Sequence, residues 1–330
     1  MERAPLVFVP YVSFSPGKVA FYSRVEGFSR AKKPSFIKVL EANETIIEPW
    51  VPTGNRHLDA QMTDYINAEI GYQNLRLNKS TGLLSKAAKN RLLNGINWLY
   101  VLSDEKKIYP DKEKSKTFKI SMITLSLSAK QMHTDKEIKS EMLSALIEKL
   151  KYNHGLKSYV WRAEIQSKST GNIHFHIISN VYVNHMELRK YWNDIQRRFG
   201  YIDQFNLNNP SAKDYDNPNS TDVHSAKNIR DLVKYLAKYM CKAPSELERN
   251  IEGRQWFLSS NLSKIKPLAY QEDNELVNEV AQFGKKAKMF KPNEYVTVLY
   301  ANIFTSDLAK YPSLDYVKKQ AFLLHHGNVN

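Results

Sequence analysis

The sequence predicts an α+β fold in which an antiparallel sheet carries helices on one face. Between residues 118 and 242, segments with the two-residue alternation of strands and segments with helical spacing follow one another as strand, helix, strand, strand, helix and helix. The two adjacent strands are separated by a short polar segment that contains Gly171, which favours an antiparallel hairpin. This order of elements is typical of an antiparallel sheet with its helices on one side.

Each element has its own signal. The strands are rich in β-branched and aromatic residues, and the first long helix repeats apolar residues every four positions from Ile138 to Leu150. Asn184, with Glu187 three residues later, predicts the start of the next helix, and Gly200 predicts its end. The predicted strands are 118–128, 158–166 and 173–183, and the predicted helices are 135–152, 186–199 and 226–242, the last stopped by Pro244.

Two polar segments, residues 109–117 and 208–221, interrupt these patterns. The first follows an amphipathic helix predicted at about residues 83–102, and three cations make part of the surface of this helix basic: Lys86, Lys89 and Arg91. The expected organisation is an N-terminal region of unassigned role (1–82), a basic helix and linker (83–117), a central domain (118–268) and a C-terminal extension (269–330).

The charge balance favours a polyanionic partner. The chain of 330 residues has 48 Lys and Arg against 34 Asp and Glu, a formal net charge of +14. Each phosphate that a cation neutralises releases condensed counterions, so nucleic acid is the leading partner, although such charge can also serve solubility alone. No apolar run approaches the roughly 18 residues of a membrane span, and we expect a cytoplasmic protein that does not bind membranes. A single cysteine, Cys241, excludes an intramolecular disulfide and a cysteine-only zinc site.

The tripeptide HFH (residues 174–176) lies inside the second hairpin strand. Residues two apart in a strand face the same side, so His174 and His176 converge. Either Glu164 or Gln166 on the partner strand could stand opposite them. Two imidazoles and one oxygen ligand, with positions left open, suit Mg²⁺ or Mn²⁺ acting as a Lewis acid on a phosphate. The structural alternative is a pair of half-buried histidines on a polar sheet face.

The segment YLAKYMCK (residues 235–242) lies on the last predicted helix. Tyr235 and Tyr239 are one helical turn apart and border the buried stripe of that helix. Beside Lys238 or Lys242 and a metal-bound phosphate, a phenol could become a nucleophile. Two aromatic rings packing on the sheet are the alternative interpretation of the same pattern.

Three segments together resemble the HUH rolling-circle replication initiators: TLSLS (124–128), GNIHFH (171–176) and YLAKYMCK (235–242), in that order and spacing. The two-tyrosine third motif is most similar to the initiators of small single-stranded DNA phages and related bacterial elements. The resemblance covers about residues 118–242, and it implies a ferredoxin-like sheet for the central domain, which would be an HUH endonuclease domain. No Walker-type phosphate loop is present in the sequence, so a fused helicase is not expected.

The resemblance also implies roles for individual residues. His174 and His176 match the metal ligands, and of the two candidates for the third ligand we choose Glu164 over Gln166. Tyr235 and Tyr239 match nucleophiles that form a 5′-phosphotyrosine bond, and Lys238 and Lys242 match the basic residues of that motif. The expected DNA-binding residues are Lys86, Lys89 and Arg91 on the basic helix, which would contact phosphates, and Trp161, which would be a stacking platform for a base.

The expected function is therefore a Mg²⁺- or Mn²⁺-dependent endonuclease and strand transferase that nicks and rejoins single-stranded origin DNA to start rolling-circle replication. A host helicase and polymerase are the expected partners, in the cytoplasm of a bacterial host if the gene belongs to a phage. Two alternatives remain open. One is a relaxase or transposase with the same chemistry. The other is a non-catalytic single-strand-binding protein that uses the sheet, Trp161 and the tyrosines as stacking surfaces.

Overall fold

The computed structural model describes residues 7–26, 86–111, 114–166, 171–225, 249–285, 287–293 and 296–325. The chain divides into two compact units, one of residues 1–10 and 23–80 and one of residues 11–22 and 81–330. All contacts discussed below lie in the second unit. No helix in the described ranges is both long and apolar enough to cross a membrane.

The described residues form twelve strands, eight α-helices and two shorter helical segments. The strands are β1 (Val7–Ser15), β2 (Lys18–Glu26), β3 (Lys106–Asp111), β4 (Lys114–Phe118), β5 (Ser121–Leu125), β6 (Tyr159–Ile165), β7 (Ile173–Ser179), β8 (Thr221–Ser225), β9 (Trp256–Leu258), β10 (Leu268–Gln271), β11 (Lys288–Asn293) and β12 (Val296–Tyr300). The α-helices are α1 (Lys86–Leu102), α2 (Asp135–Glu137), α3 (Ser144–His154), α4 (His185–Arg198), α5 (Tyr201–Asn208), α6 (Ser260–Ser263), α7 (Asn274–Phe283) and α8 (Pro312–His325). A π-helical segment (Ile138–Leu143) joins α2 to α3, and a short 3₁₀ helix (Ile303–Thr305) precedes α8.

The central sheet has five strands in the order β8-β5-β7-β6-β9, and every neighbouring pair is antiparallel. One face of this sheet packs against α3 and α4 in a core that includes Ile123, Trp161, Phe175, Leu146 and Trp192. The predicted α+β class and the hairpin between β6 and β7 are therefore confirmed, but the helices are not confined to one face, because α1 contacts the opposite face of this sheet.

The opposite face of the central sheet has an apolar part at one end of its strands and a polar part at the other end. At one end, Met122, Val160 and Ile178 join a second apolar core, in which α1 supplies Leu92, Ile96 and Leu99. At the other end the same strands present Thr124, Arg162, Glu164, His174 and His176. Because strand side chains alternate between faces, this polar cluster shares its face with the α1 contact and lies opposite α3 and α4.

Helix α1 approaches the central sheet closely at Gly95. A Cβ atom at this position would lie 2.5 Å from Cδ2 of Leu258 on β9, closer than carbon atoms can approach. Glycine therefore lets the helix backbone reach the strand side chain directly, at the usual cost of glycine in a helix. The predicted amphipathic helix at residues 83–102 is confirmed from Lys86 onward.

The segments that flank the central region share a second sheet with the order β10-β1-β2-β12-β11. Tyr11–Phe14 pair with Leu268–Gln271, and Val19–Tyr22 pair with Val296–Leu299. Strands from both ends of the sequence thus form one structure, which the predicted division into separate N- and C-terminal regions did not anticipate. Pairing between strands this distant leaves no local pattern in the sequence.

Local details also depart from the sequence-based prediction. Of the segment predicted as a linker, residues 109–111 belong to β3 and residues 114–117 belong to β4, and these two strands pair. In the first long helix, Ser144 Oγ donates to the Lys139 carbonyl five residues back, within the π-helical turn that interrupts the predicted helix. Asn184 caps α4 by accepting from Met186 N, whereas the complete capping box forms at Thr134 and Glu137. The predicted helix at residues 226–242 lies outside the described residues.

Candidate metal centre

The hairpin of β6 and β7 brings three potential metal ligands together. In its register Glu164 pairs directly with His174, and His176 pairs with Arg162. Directly paired residues of antiparallel strands have Cβ atoms about 5 Å apart on one face, so the carboxylate and both imidazoles meet there.

The turn that begins β7 is held by side chains of the segment after β5. Gly171 has a φ of 69°, a left-handed conformation that glycine adopts without strain. The buried Asn172 donates from Nδ2 to the Ala129 carbonyl (2.7 Å) and accepts from Gln131 N (2.8 Å). Gln131 Oε1 in turn accepts from Ile173 N at 2.8 Å. These bonds hold the backbone next to His174 against the rest of the sheet.

The ligand atoms form a compact cluster. His174 Nε2 lies 3.0 Å from His176 Nε2, and the two rings are nearly perpendicular at 86°. Glu164 Oε2 lies 3.8 Å from the first nitrogen and 3.7 Å from the second. All three ligand atoms are within 4.8 Å of one another. The side chains retain 11% (Glu164), 15% (His174) and 7% (His176) of their exposure, so the three candidate ligands are largely buried.

Two neighbours on the same face support these ligands. Thr124 Oγ1 on β5 is hydrogen-bonded to His176 Nδ1 at 3.1 Å. Arg162 Nε on β6 forms an ion pair with Glu164 Oε1 at 3.2 Å. Thr124 contacts Nδ1 of His176, and Arg162 contacts Oε1 of Glu164. The remaining polar atoms of these two side chains, Nε2 of His176 and Oε2 of Glu164, lie in the cluster.

The electrostatics keep Glu164 ionised at neutral pH. Burial acts to raise the pKa of its carboxyl, but the hydrogen bond with His176 and the electrostatic interactions with His176, Arg162 and His174 outweigh it and lower the pKa. A carboxylate must be deprotonated to bind a metal, so this shift favours the ligand form.

The residues fit a divalent ion. Neighbouring ligands of an octahedral ion with bonds of about 2.1 Å are about 3 Å apart, and the two imidazole nitrogens are separated by 3.0 Å. Two imidazoles and one carboxylate, with further positions open, suit several divalent metals. Glu164, His174 and His176 are thus a candidate metal site, and the donor set by itself does not select Mg²⁺ or Mn²⁺.

The other predicted site residues have different outcomes. Gln166 lies one residue beyond β6 and uses its backbone to close the turn, donating to the Asn172 carbonyl and accepting from Gly171 N. In the register of β6 with β7, the residue that pairs with His174 is Glu164. Tyr235, Lys238, Tyr239 and Lys242 lie outside the described residues, so their roles stay predictions.

Trp161 is not available as a stacking platform. Its side chain faces the α3 and α4 side of the sheet, where it is 8% exposed, stacks on Phe257 and meets Phe175 edge-on. The expectation that it contacts DNA is corrected for this reason, because a large apolar ring gains more from core burial than from exposure. Arg91 on α1 is exposed and Lys89 is half-buried, and their predicted DNA contacts stay predictions.

Thr124 and Arg162 were not among the predicted site residues. Arg162 is two residues before Glu164, and strand periodicity puts both on one face, so a signal for it was present. Thr124 belongs to a motif that the sequence analysis used for the resemblance, but its contact with His176 depends on the pairing of β5 with β7. That pairing joins residues 52 positions apart in the chain.

Comparison with protein families supports a role in replication. Residues 120–244, somewhat more than a third of the chain, match a family model whose description is replication-associated protein. The matched segment contains the three candidate ligands together with Thr124 and Arg162. No curated protein sequence and no solved structure matches the chain significantly. Over this segment the chain is therefore similar to replication-associated proteins.

Proposed function

We propose that this protein nicks and rejoins single-stranded DNA at a replication origin, and thereby starts rolling-circle replication. The observation that carries the proposal is the cluster of Glu164, His174 and His176 inside the segment that matches a replication-associated family. Nicking needs a phosphate activated next to a nucleophile, and a divalent ion held by this cluster would supply that activation.

Glu164, His174 and His176 would hold Mg²⁺ or Mn²⁺. A bound divalent ion supplies Lewis-acid polarisation of the scissile phosphate. Thr124 orients His176 through its Nδ1 atom, and Arg162 orients Glu164 through its Oε1 atom. The chain therefore contributes a site whose ligands are oriented before the DNA binds, which lowers the cost of organising the reaction.

Tyr235 or Tyr239 is the nucleophile in this proposal. The phenolic oxygen forms a bond to phosphorus, the bond from phosphorus to the 3′ oxygen breaks, and the phenolic proton is lost to solvent while the leaving 3′ oxygen gains one. Lys238 and Lys242 favour the phenolate by their charge. One phosphodiester is exchanged for another, so the reverse reaction can rejoin the DNA without an energy source.

Two nucleophiles suit the completion of a circle. After the first nick one tyrosine stays esterified to the 5′ end, and a second free phenol can cut the regenerated origin. The freed 3′ hydroxyl then attacks the first phosphotyrosine, which closes the circle and restores that tyrosine. We assign these duties to Tyr235 and Tyr239, with Tyr235 as the nucleophile of the first cut.

The proposal can be tested without knowing the origin. End-labelled single strands with a randomised central segment are incubated with the full chain and Mn²⁺, and denaturation-resistant protein–DNA adducts are isolated and sequenced. We expect adducts that share a short sequence, need the metal and carry the DNA 5′ end on a tyrosine. Adducts should vanish in the Tyr235→Phe and Tyr239→Phe double variant.

The controls separate the alternatives. Tyr215→Phe changes an exposed tyrosine of the loop before β8 and should leave adduct formation unchanged. If the chain binds the strands but forms no adduct with any metal tested, a non-catalytic single-strand-binding protein is the better description. Adducts that persist in the double variant would overturn the assignment of the nucleophiles.

A further inference from the structure

Arg162 places a positive charge at the back of the candidate metal centre. Arg162 is 3% exposed, and on β6 it lies directly opposite His176 of β7. Its Nε atom lies 3.2 Å from Glu164 Oε1, and the two side chains keep 4% and 11% of their exposure. Solvent therefore screens this cation poorly, so its field acts on any ion that enters the site.

The cation changes the charge balance that a metal would meet. In the described part of the chain, Glu164 is the acidic member of the ligand cluster, and its charge is compensated by Arg162. The two histidines bind metals as neutral imidazoles. Asp222 shares the row of Thr124 and His176 but lies two strands from His176, about 10 Å at the usual strand spacing. Counted over the described residues, the cluster therefore offers a divalent cation little net negative charge.

We propose that Arg162 makes metal binding depend on the DNA phosphate. The site binds a divalent ion weakly by itself and tightly once a phosphodiester supplies the missing negative charge. This inference rests on the proposed function for the identity of the anion, while the residues that carry it are the ion pair of Arg162 and Glu164.

The consequence is a thermodynamic linkage. If DNA raises the affinity for the metal by some factor, the metal raises the affinity for DNA by the same factor. Couplings between ligands of this kind are typically about 5-fold to 150-fold. The free protein would then hold little metal, and the complete centre would assemble on single-stranded DNA.

The experiment measures Mn²⁺ binding by calorimetric titration at fixed ionic strength, with and without saturating oligo(dT). In the parent protein we expect oligo(dT) to raise the Mn²⁺ affinity by about 10-fold or more. In Arg162→Gln the affinity without DNA should rise, and the enhancement by oligo(dT) should shrink by about fivefold or more. Arg162→Lys keeps the charge and should retain most of the enhancement.

Arg197→Gln is the matched control. It also removes one positive charge, but from the exposed ion pair of Arg197 with Asp194 on α4, away from the ligands. It should behave as the parent does in both titrations. Thermal unfolding of each variant checks the fold, and the comparison of the parent with and without oligo(dT) stays decisive if Arg162→Gln does not fold.

Equal Mn²⁺ affinity of the parent with and without oligo(dT) would overturn the inference. A lower DNA-free affinity in Arg162→Gln than in the parent would also overturn it, because Arg162 would then only orient Glu164. These measurements involve no cleavage. If oligo(dT) raises the Mn²⁺ affinity but no covalent adduct ever forms, the proposed nicking is refuted and the inference about Arg162 stands. If adducts form but oligo(dT) does not change the Mn²⁺ affinity, the inference is refuted and the proposed nicking stands.

Discussion

Thr124 Oγ1 lies 3.1 Å from Nδ1 of His176, across the pairing of β5 with β7. When Nδ1 donates its proton to this hydroxyl, the lone pair of Nε2 points into the cluster with Glu164 and His174. The threonine hydroxyl can accept this proton, so the contact is compatible with the tautomer that a metal ligand needs, although the two residues are 52 positions apart in the chain. Such supporting bonds affect metal affinity nearly as much as some ligands do.

Thr124→Val should lower the Mn²⁺ affinity by about 10-fold, because it keeps the shape of the side chain and removes the hydroxyl. Thr124→Ser retains the hydroxyl and should bind Mn²⁺ within about threefold of the parent. Calorimetric titration in the presence of oligo(dT) measures both. Equal affinities of the valine and serine variants would mean that the hydrogen bond does not orient His176.

His174→Ala and His176→Ala should each lower the Mn²⁺ affinity by at least about 100-fold and remove metal-dependent cleavage. Glu164→Ala should have a smaller effect, because water can fill one position of an octahedral ion. DNA binding, measured by fluorescence anisotropy without metal, should be largely kept. His154→Ala changes a histidine of α3 that contacts Glu187 and serves as the control. Parental Mn²⁺ affinity in a His174 and His176 double variant would place the metal elsewhere.

Single Tyr→Phe changes should affect nicking and circle joining differently. Either Tyr235→Phe or Tyr239→Phe should keep some adduct formation on a short strand, since one nick needs one nucleophile. Either change should impair closure of a circle from a strand with two origin copies, since closure needs both phenols. Denaturing gels resolve linear, covalently attached and circular products. Full circle joining by one single variant would show that the replaced tyrosine is not a nucleophile.

Binding to single strands should weaken steeply with salt, because the chain carries a net charge of +14. Reversing the charges of Lys86, Lys89 and Arg91 should reduce the slope of log affinity against log salt by about 2, as three lost phosphate contacts would. Reversal of Lys136, Lys149 and Lys151, on the segment that covers the other sheet face, is the control. An unchanged slope would show that α1 does not track phosphates.

Asp135 should make stability depend on pH. Its buried carboxylate accepts from both Nη atoms of Arg249, from Gln131 Nε2 and from Glu252 N. Burial acts to raise the pKa of Asp135, but these hydrogen bonds and the charge of Arg249 outweigh it, and the pKa is lowered. A lowered pKa stabilises the fold above the unfolded value of about 3.9, and this contribution is lost as the pH falls through the folded value.

Asp135→Asn should therefore lower the free energy of unfolding at pH 7 by on the order of 2 kcal/mol, since it leaves Arg249 without its charged partner. The difference from the parent should narrow below about pH 4, as the parent carboxyl protonates. Urea unfolding at several pH values measures this. Asp194→Asn, in an exposed pair with Arg197, should change stability by less than about 1 kcal/mol. A difference that stays constant down to about pH 2 would contradict the assignment to ionised Asp135.

The sequence by itself determined the local strands and helices and the two histidines of the candidate site. Periodicity identified the β6 and β7 hairpin, and alternation along β7 put His174 and His176 on one face. These features depend on residues close together in the chain, so their signal is local. Glu164 was reachable by the same reasoning, because a hairpin turn sets the register of its two strands.

Tertiary structure decided what surrounds that site. The contact of Thr124 with His176 exists because β5 pairs with β7, and α1 reaches the same sheet face because Gly95 admits Leu258. The pairing of Tyr11–Phe14 with Leu268–Gln271 joins segments more than 250 residues apart. Periodicity shows which face of an element is apolar but not which distant element covers it. Trp161 is the clearest case, since its ring is directed into the helix-covered core by its position in β6 and not toward DNA.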